Sequence, residues 1–234
     1  MFEHVRGLLK TSLIDYPGKV AAVLFLGGCN FRCPYCYNTD LVLNPSSLPS
    51  LTQEELSRFL ASRKGWLDGV VISGGEPTIH ENLPQFLAWI KEFGYAVKLD
   101  TNGSNPSMLQ SLIERELVDY VALDVKAPLV HERYVTFSQL NGGEEVRRAA
   151  EILMGSSIDY EFRTTVVPGL LSREDILMIA EQLKGAKRYY LQQFRPSEKL
   201  VDPVFCSVRP YPLEFLQKLR DEISAYFKVC RVRF

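Results

Sequence analysis

Between Val20 and Gln193, short apolar runs alternate with segments whose apolar residues recur at helical spacing. Few folds accept that alternation. Each strand–helix–strand unit brings the chain back parallel to itself through a right-handed crossover, so repetition builds a parallel α/β sheet. The runs Val20–Leu26, Gly69–Ser73, Tyr95–Asp100, Tyr120–Val125, Tyr160–Val167 and Arg188–Gln193 read as strands, with Val229–Phe234 as a short terminal strand. Thr52 and Glu55 form a capping-box signal ahead of Leu56, Phe59 and Leu60. Further helices are expected over Leu83–Phe93, Pro106–Glu116, Glu144–Met154, Ser172–Leu183 and Pro212–Phe227, with Gly94 and Gly155 as stops. Two architectures fit: a parallel barrel with fewer than eight strands, or an open doubly wound sheet. In both, ligands collect at the C-terminal strand ends.

The chemically loaded residues fall at those ends. A cysteine loop follows the first predicted strand, and Gly74, Gly75, Glu76 and Pro77 follow the second. Asp100 to Gly103 close the third, Asp124 to Lys126 the fourth, and Gln192 to Arg195 the sixth. Clusters from five strands on one rim read as one active site.

The cysteine loop holds Cys29, Cys33 and Cys36 in C-x3-C-x2-C spacing. Three thiolates on one short loop suit three irons of a cubane iron–sulfur cluster, whose ordinary form takes four. No fourth cysteine is near in sequence, which leaves one iron open for a ligand. Zinc is the other reading, although zinc sites usually add a second C-x2-C pair or paired histidines. His4, His80 and His131 are scattered singly, and Cys206 and Cys230 lie far downstream. An odd cysteine count in a long chain without a signal-peptide pattern argues against a disulfide framework.

A formal net charge of −1 lacks the basic footprint of a nucleic-acid binder. No apolar run approaches a membrane span. The expectation is a single cytoplasmic domain over residues 1–234, working in a reducing, low-oxygen setting, with no nucleic-acid or membrane partner.

The cysteine spacing with Tyr35 before the last thiol, followed by Gly-Gly-Glu-Pro after the next strand, resembles the radical S-adenosylmethionine (SAM) superfamily. Within it, Cys36 to Asn38, Leu99 to Gly103, Leu123 to Lys126 and Val166 to Gly169 resemble glycyl-radical-enzyme activases such as pyruvate formate-lyase activating enzyme. Lys10 to Gly18 and Gln192 to Pro196 are most similar to anaerobic ribonucleoside-triphosphate reductase activating proteins. The extra cysteines of activases with a ferredoxin-like insert are absent here, which fits a small activase with one cluster. The resemblance implies a partial (β/α)6 TIM-type barrel with parallel strands. It implies a [4Fe-4S] cluster on Cys29, Cys33 and Cys36, whose open iron is chelated by the SAM amino and carboxylate groups. It assigns SAM contacts to Tyr35, Asn38, Gly74, Gly75, Glu76, Asp100, Asn102, Asp124, Lys126, Arg163 and Arg195, with a buried structural ion pair as the other reading of Arg163. Asp100, Thr101 and Asp124 would hold a monovalent cation, with helix capping by Asp100 and a surface salt bridge between Asp124 and Lys126 as the other reading. The implied partners are a glycyl-radical enzyme, foremost anaerobic ribonucleotide reductase, and an electron donor such as flavodoxin or ferredoxin.

Overall fold

The computed structural model describes residues 2–137 and 142–234. Among these, eight strands are present: β1 Val5–Ser12, β2 Ala21–Leu26, β3 Gly69–Gly74, β4 Ala96–Thr101, β5 Tyr120–Asp124, β6 Asp159–Val166, β7 Arg188–Gln193 and β8 Val229–Arg233. The helices are α1 Thr39–Leu43, α2 Gln53–Ser62, α3 Leu83–Glu92, α4 Pro106–Glu114, α5 His131–Tyr134, α6 Gly142–Gly155, α7 Arg173–Gln182 and α8 Leu213–Ile223. The strands follow one another in chain order. β2 with β3, β3 with β4, β6 with β7 and β7 with β8 are parallel, and β1 runs antiparallel to β2. A doubly wound sheet needs a point where the order reverses. No reversal occurs, so the architecture is the partial (β/α) barrel rather than the open alternative.

The expected helix signals act as read. Thr52 Oγ1 accepts from Glu55 N at 3.2 Å, and Glu55 Oε2 accepts from Thr52 N at 2.8 Å, closing the capping box of α2. Ser172 and Asp175 do the same for α7, at 3.2 and 2.9 Å. Gly94 ends the α3 region at φ +85°, where a side chain would be strained. The expected helix over Pro212–Phe227 stops at Ile223, and a 3-10 turn over Ser224–Tyr226 follows. The short helices α1 and α5 and the strand β1 were not anticipated. α1 and α5 have 5 and 4 residues, too few for a helical period to show. β1 buries only Val5 and Ser12, so it lacks a clean apolar face.

The chain splits into two compact units. Unit 1 comprises Met1–Asn30, Asn38–Thr101 and Ser107–Val121; unit 2 comprises Phe31–Tyr37, Asn102–Pro106 and Ala122–Phe234. In unit 1, Ala22, Leu24, Val70, Val71, Ile72, Val97 and Leu99 are buried in consecutive or alternate positions of β2, β3 and β4, as parallel strands covered on both faces require. Tyr16 and Tyr120 join Ala21, Val23 and Val71 in one cluster. In unit 2, Val167, Phe194 and Leu200 form a core patch, with Tyr35, Leu170 and Phe205 packed against it. No helix among the described residues is long and apolar enough to cross a membrane.

Candidate active site

Unit 1 contributes Cys29 and the turn after β3. Gly74 has φ +114°, and a Cβ there would stand 2.5 Å from the backbone N and O of Leu26. A Cβ on Gly75 would lie 1.8 Å from the Gly28 carbonyl oxygen. The backbone is bonded across this approach: Gly75 N–H donates to Leu26 O and Glu76 N–H to Gly28 O, both at 2.8 Å. These glycines are among the residues that the resemblance assigns to SAM. In the structure they let the turn press on the segment that enters Cys29. Asn38 reinforces the turn, its Nδ2 donating to Gly74 O at 3.2 Å.

Glu76 is also among the residues that the resemblance assigns to SAM. It is 1% exposed, and its Oε1 accepts from Thr78 N at 3.0 Å, from the Thr78 hydroxyl, and from Thr101 Oγ1 at 2.7 Å. Its carboxylate therefore ties the ends of β3 and β4 together. Asp100 accepts from Ser73 Oγ at 3.1 Å and pairs with the buried ammonium of Lys98.

Unit 2 contributes the rest of the loop. Cys33 is buried and Cys36 half-buried, and Cys36 N–H closes a turn on Cys33 O at 3.0 Å. Residues 201 and 202 hold this turn through Val201 N–H to Cys36 O and Asp202 N–H to Pro34 O, at 3.1 and 2.9 Å. Tyr35 packs edge-on against Phe137 and Phe194, with centroids 6.3 and 6.5 Å away. Burial drives its phenol well above the usual range, against the opposing pull of Lys126. Burial opposes the charge of Lys126, but Tyr35, Asp124, Cys33 and Cys36 outweigh it and hold the ammonium above its ordinary value. Arg163 Nε donates to Asp124 Oδ1 at 2.8 Å, and Lys126 Nζ lies 3.6 Å from Asp124 Oδ2. The ion-pair reading of Arg163 is the one observed. Asn102 is buried, its Oδ1 accepting from Ser104 N at 2.9 Å in a local turn. Arg195 is exposed.

The three residues expected to hold a monovalent cation each have partners within the protein. Asp100 holds Lys98, Thr101 donates to Glu76, and Asp124 holds Arg163 and Lys126.

Sequence reasoning missed three features. His80, thought isolated, stacks on His4 at 4.0 Å, because β1 carries the start of the chain there. Tyr134, on unanticipated α5, places its ring against Phe31 and its hydroxyl 3.2 Å from Lys126 N. Gln193 Nε2 donates to Tyr211 O at 2.8 Å, which leaves its buried Oε1 with no partner in the protein. Such an acceptor at the end of β7 is what a bound donor would satisfy.

The residues present suit an iron–sulfur cluster with SAM. The loop supplies thiols, the ligands such clusters take. Among the described residues, no three His, Cys, Asp or Glu side chains are grouped about a single metal position. A cubane spreads its thiolates over separate irons, so they need not meet at one point.

The comparisons agree with this chemistry. A protein of Methanocaldococcus jannaschii assigned as a glycyl-radical enzyme activating enzyme is 38% identical over 200 residues, 83% of this chain and 81% of its own. The pyruvate formate-lyase-activating enzyme of Streptococcus mutans is 27% identical over 229 residues, 91% of this chain and 86% of its own. Among solved structures, Streptococcus suis SuiB bound to S-adenosylmethionine superposes at a TM-score of 0.66 with 14% identity, over 89% of this chain and 51% of that one. This chain thus spans about half the length of SuiB, and the likeness is one of fold. Residues 23–183 match the radical SAM superfamily, a range that takes in Cys29, Cys33 and Cys36, the Gly74–Pro77 turn, most of β2 and all of β3 to β6. The chain belongs to the radical SAM superfamily, as a SAM-cleaving oxidoreductase.

Proposed function

We propose that this chain activates a glycyl-radical enzyme, and that its partner is an anaerobic ribonucleoside-triphosphate reductase. The observation that carries the first part is the 38% identity, over most of both chains, to the Methanocaldococcus jannaschii protein assigned to that activity. The second part rests on the resemblance of Lys10 to Gly18 and of Gln192 to Pro196, and on the lack of a second cysteine cluster.

When bound, the reduced cluster and SAM supply a 5′-deoxyadenosyl radical able to take a hydrogen atom from a glycine Cα. In this reading Cys29, Cys33 and Cys36 hold the cluster. The Gly74–Glu76 turn, braced by Asn38, shapes the backbone beside it. Tyr35, Phe137 and Phe194 exclude water, which protects a radical and tunes a cluster's potential. Lys98, Lys126 and Arg163 provide the positive charge assigned above to a cation. Asn102 and Arg195 remain candidate contacts to SAM or to the partner. The chain's own contribution is orientation, because the cofactor carries the difficult chemistry. Flavodoxin or ferredoxin would deliver the electron, in the cytoplasm of an anaerobically growing cell.

The test is anaerobic. Reconstituted protein, SAM and reductant are mixed with the reductase, and the EPR spectrum is read for a glycyl-radical doublet. Deuterium placed on the target glycine's Cα should enter 5′-deoxyadenosine. If the reductase gains no radical while a small metabolite is consumed, the substrate is a small molecule and the activase reading fails.

A further inference from the structure

Gly27 and Gly28 lead directly into Cys29 and can be held only through their main-chain groups. Three of these four groups meet other main-chain atoms. Gly27 N–H donates to His4 O at 2.8 Å, Gly28 N–H donates to Leu41 O at 2.7 Å, and Gly28 O accepts from Glu76 N at 2.8 Å. The fourth group, Gly27 O, meets a side chain: His80 Nε2, at 3.0 Å. A carbonyl oxygen only accepts, so Nε2 carries the proton.

The His80 ring is itself held. Its residue follows the 3-10 turn Pro77–Ile79, with His80 N–H on Pro77 O at 3.2 Å and Leu83 N–H on His80 O at 3.0 Å. Its face stacks on His4, with centroids 4.0 Å apart and planes inclined by 23°. Phe2, Leu26, Leu83 and Phe86 line the apolar recess beside it. Low local polarity strengthens a hydrogen bond and makes its loss more costly. Burial, with His4 adding to it, lowers the His80 pKa to about 4, so the ring is a neutral donor in ordinary buffers.

We propose that His80 is a positioning residue for the cluster-binding loop: its Nε2–H, on the Gly27 carbonyl, fixes the Gly27–Gly28 peptide and with it the direction in which Cys29 leaves the backbone. The inference concerns the cofactor loop and is independent of which substrate the enzyme takes.

Three variants separate donation from stacking. His80→Phe keeps a ring against His4 and removes the donor. His80→Gln removes the ring and keeps an N–H donor at similar reach. His4→Phe keeps the stack and leaves His80 intact. In the metal-free protein, amide hydrogen exchange at Gly28 and Glu76 should speed up about fivefold in His80→Phe, the effect of one net hydrogen bond. It should stay near wild type in the other two. After anaerobic reconstitution, His80→Phe should hold fewer than the about four irons expected per chain, with an altered EPR spectrum of the reduced cluster. His80→Gln should restore both. Equal losses in His80→Phe and His80→Gln would overturn the proposal in favour of stacking. So would unchanged exchange and an unchanged spectrum in His80→Phe. Should His80→Phe fail to fold, His80→Gln decides alone: wild-type exchange and iron content support the donor role, and their loss refutes it.

Discussion

The two units add different side-chain restraints to the main-chain bonds that hold their parts of the cysteine loop. In unit 1 the restraints are main-chain and neutral. Gly74, Gly75, Gly27 and Gly28 bring backbone against backbone, and His80 and Asn38 add uncharged donors. In unit 2 aromatic and ionic contacts join the main-chain bonds that Val201 and Asp202 make to the loop. Tyr35 packs among Phe137 and Phe194, and Asp124 gathers Arg163 and Lys126. A backbone approach tolerates no added atom, whereas aromatic packing and ion pairs tolerate substitution in proportion to what is removed. Substitutions should therefore act abruptly in unit 1 and gradually in unit 2.

The strongest expected effect is Gly75→Ala. One added Cβ would fall 1.8 Å from Gly28 O, a backbone atom that cannot step aside. The cost should reach about 3 kcal/mol or more, the upper end of overpacking penalties. Chemical denaturation would measure it, and iron uptake should fail in parallel because the same shift displaces the approach to Cys29. A stable variant with full iron content would break the contrast between the units. Loss of SAM binding in this variant would not by itself locate SAM, since the turn supports the cysteine loop.

The contrast also accounts for what the sequence disclosed. Backbone crowding leaves glycine at fixed positions, so the Gly74–Pro77 turn could be singled out. Continuous apolar runs such as Val70–Ile72 marked the parallel strands, and Thr52 with Glu55 marked the start of α2. Ion pairs leave no such trace. Nothing in the order of residues tells Asp124 to choose Arg163, 39 positions away, over a metal or a cofactor. β1 stayed hidden because its middle is partly exposed, and the His4–His80 stack stayed hidden with it. Glu76 was visible, but its bonds to Thr78 and Thr101 were not: they depend on how β3 and β4 end, which spacing does not encode.

In unit 2 the largest effect should come from Arg163→Met. The Arg163 and Asp124 side chains are 13% and 31% exposed, so Asp124 would be left partly desolvated with only the longer contact to Lys126 among its observed cations. Removing one partner of a fully buried pair costs about 3–5 kcal/mol. Partial exposure reduces that to about 2 kcal/mol. The double variant Arg163→Met with Asp124→Asn should recover part of the loss, since no carboxylate then remains unpaired. Denaturation midpoints of the three proteins form the test, and a double variant weaker than the sum of the singles would contradict the ion-pair account.

Acid should reach unit 1 through His80. Its folded pKa is lowered to about 4, by burial first and His4 second, whereas an unfolded histidine titrates near 6.5. Between those values the unfolded chain binds more protons, so stability falls as pH drops from about 6.5 towards 4 and is complete above 6.5. His80 is only partly buried, which limits the contribution to about 1–2 kcal/mol. Carboxylates titrate in the same range, so the measurement is the difference between wild type and His80→Gln. That difference should shrink as pH falls from 7 to 4. A difference independent of pH would show that the ring is not kept neutral by its surroundings.

The smallest effect should come from Tyr35→Phe, although Tyr35 lies inside the cysteine motif, between Cys33 and Cys36. The substitution keeps the ring that meets Phe137 and Phe194, removes one hydroxyl and adds no atom. The phenol stays protonated at neutral pH, because burial drives its pKa upward, so no charge is lost with it. Stability should change by less than about 0.5 kcal/mol, as for substitutions that disturb neither packing volume nor an ion pair. SAM affinity should also stay within about threefold if Tyr35 works by packing alone, a difference below about 0.7 kcal/mol. Calorimetry and anaerobic SAM titration would read both quantities. A tenfold loss of SAM affinity at unchanged stability would assign the hydroxyl a direct contact to the cofactor, and unit 2 would then contain a position as unforgiving as Gly75, for a chemical rather than a steric reason.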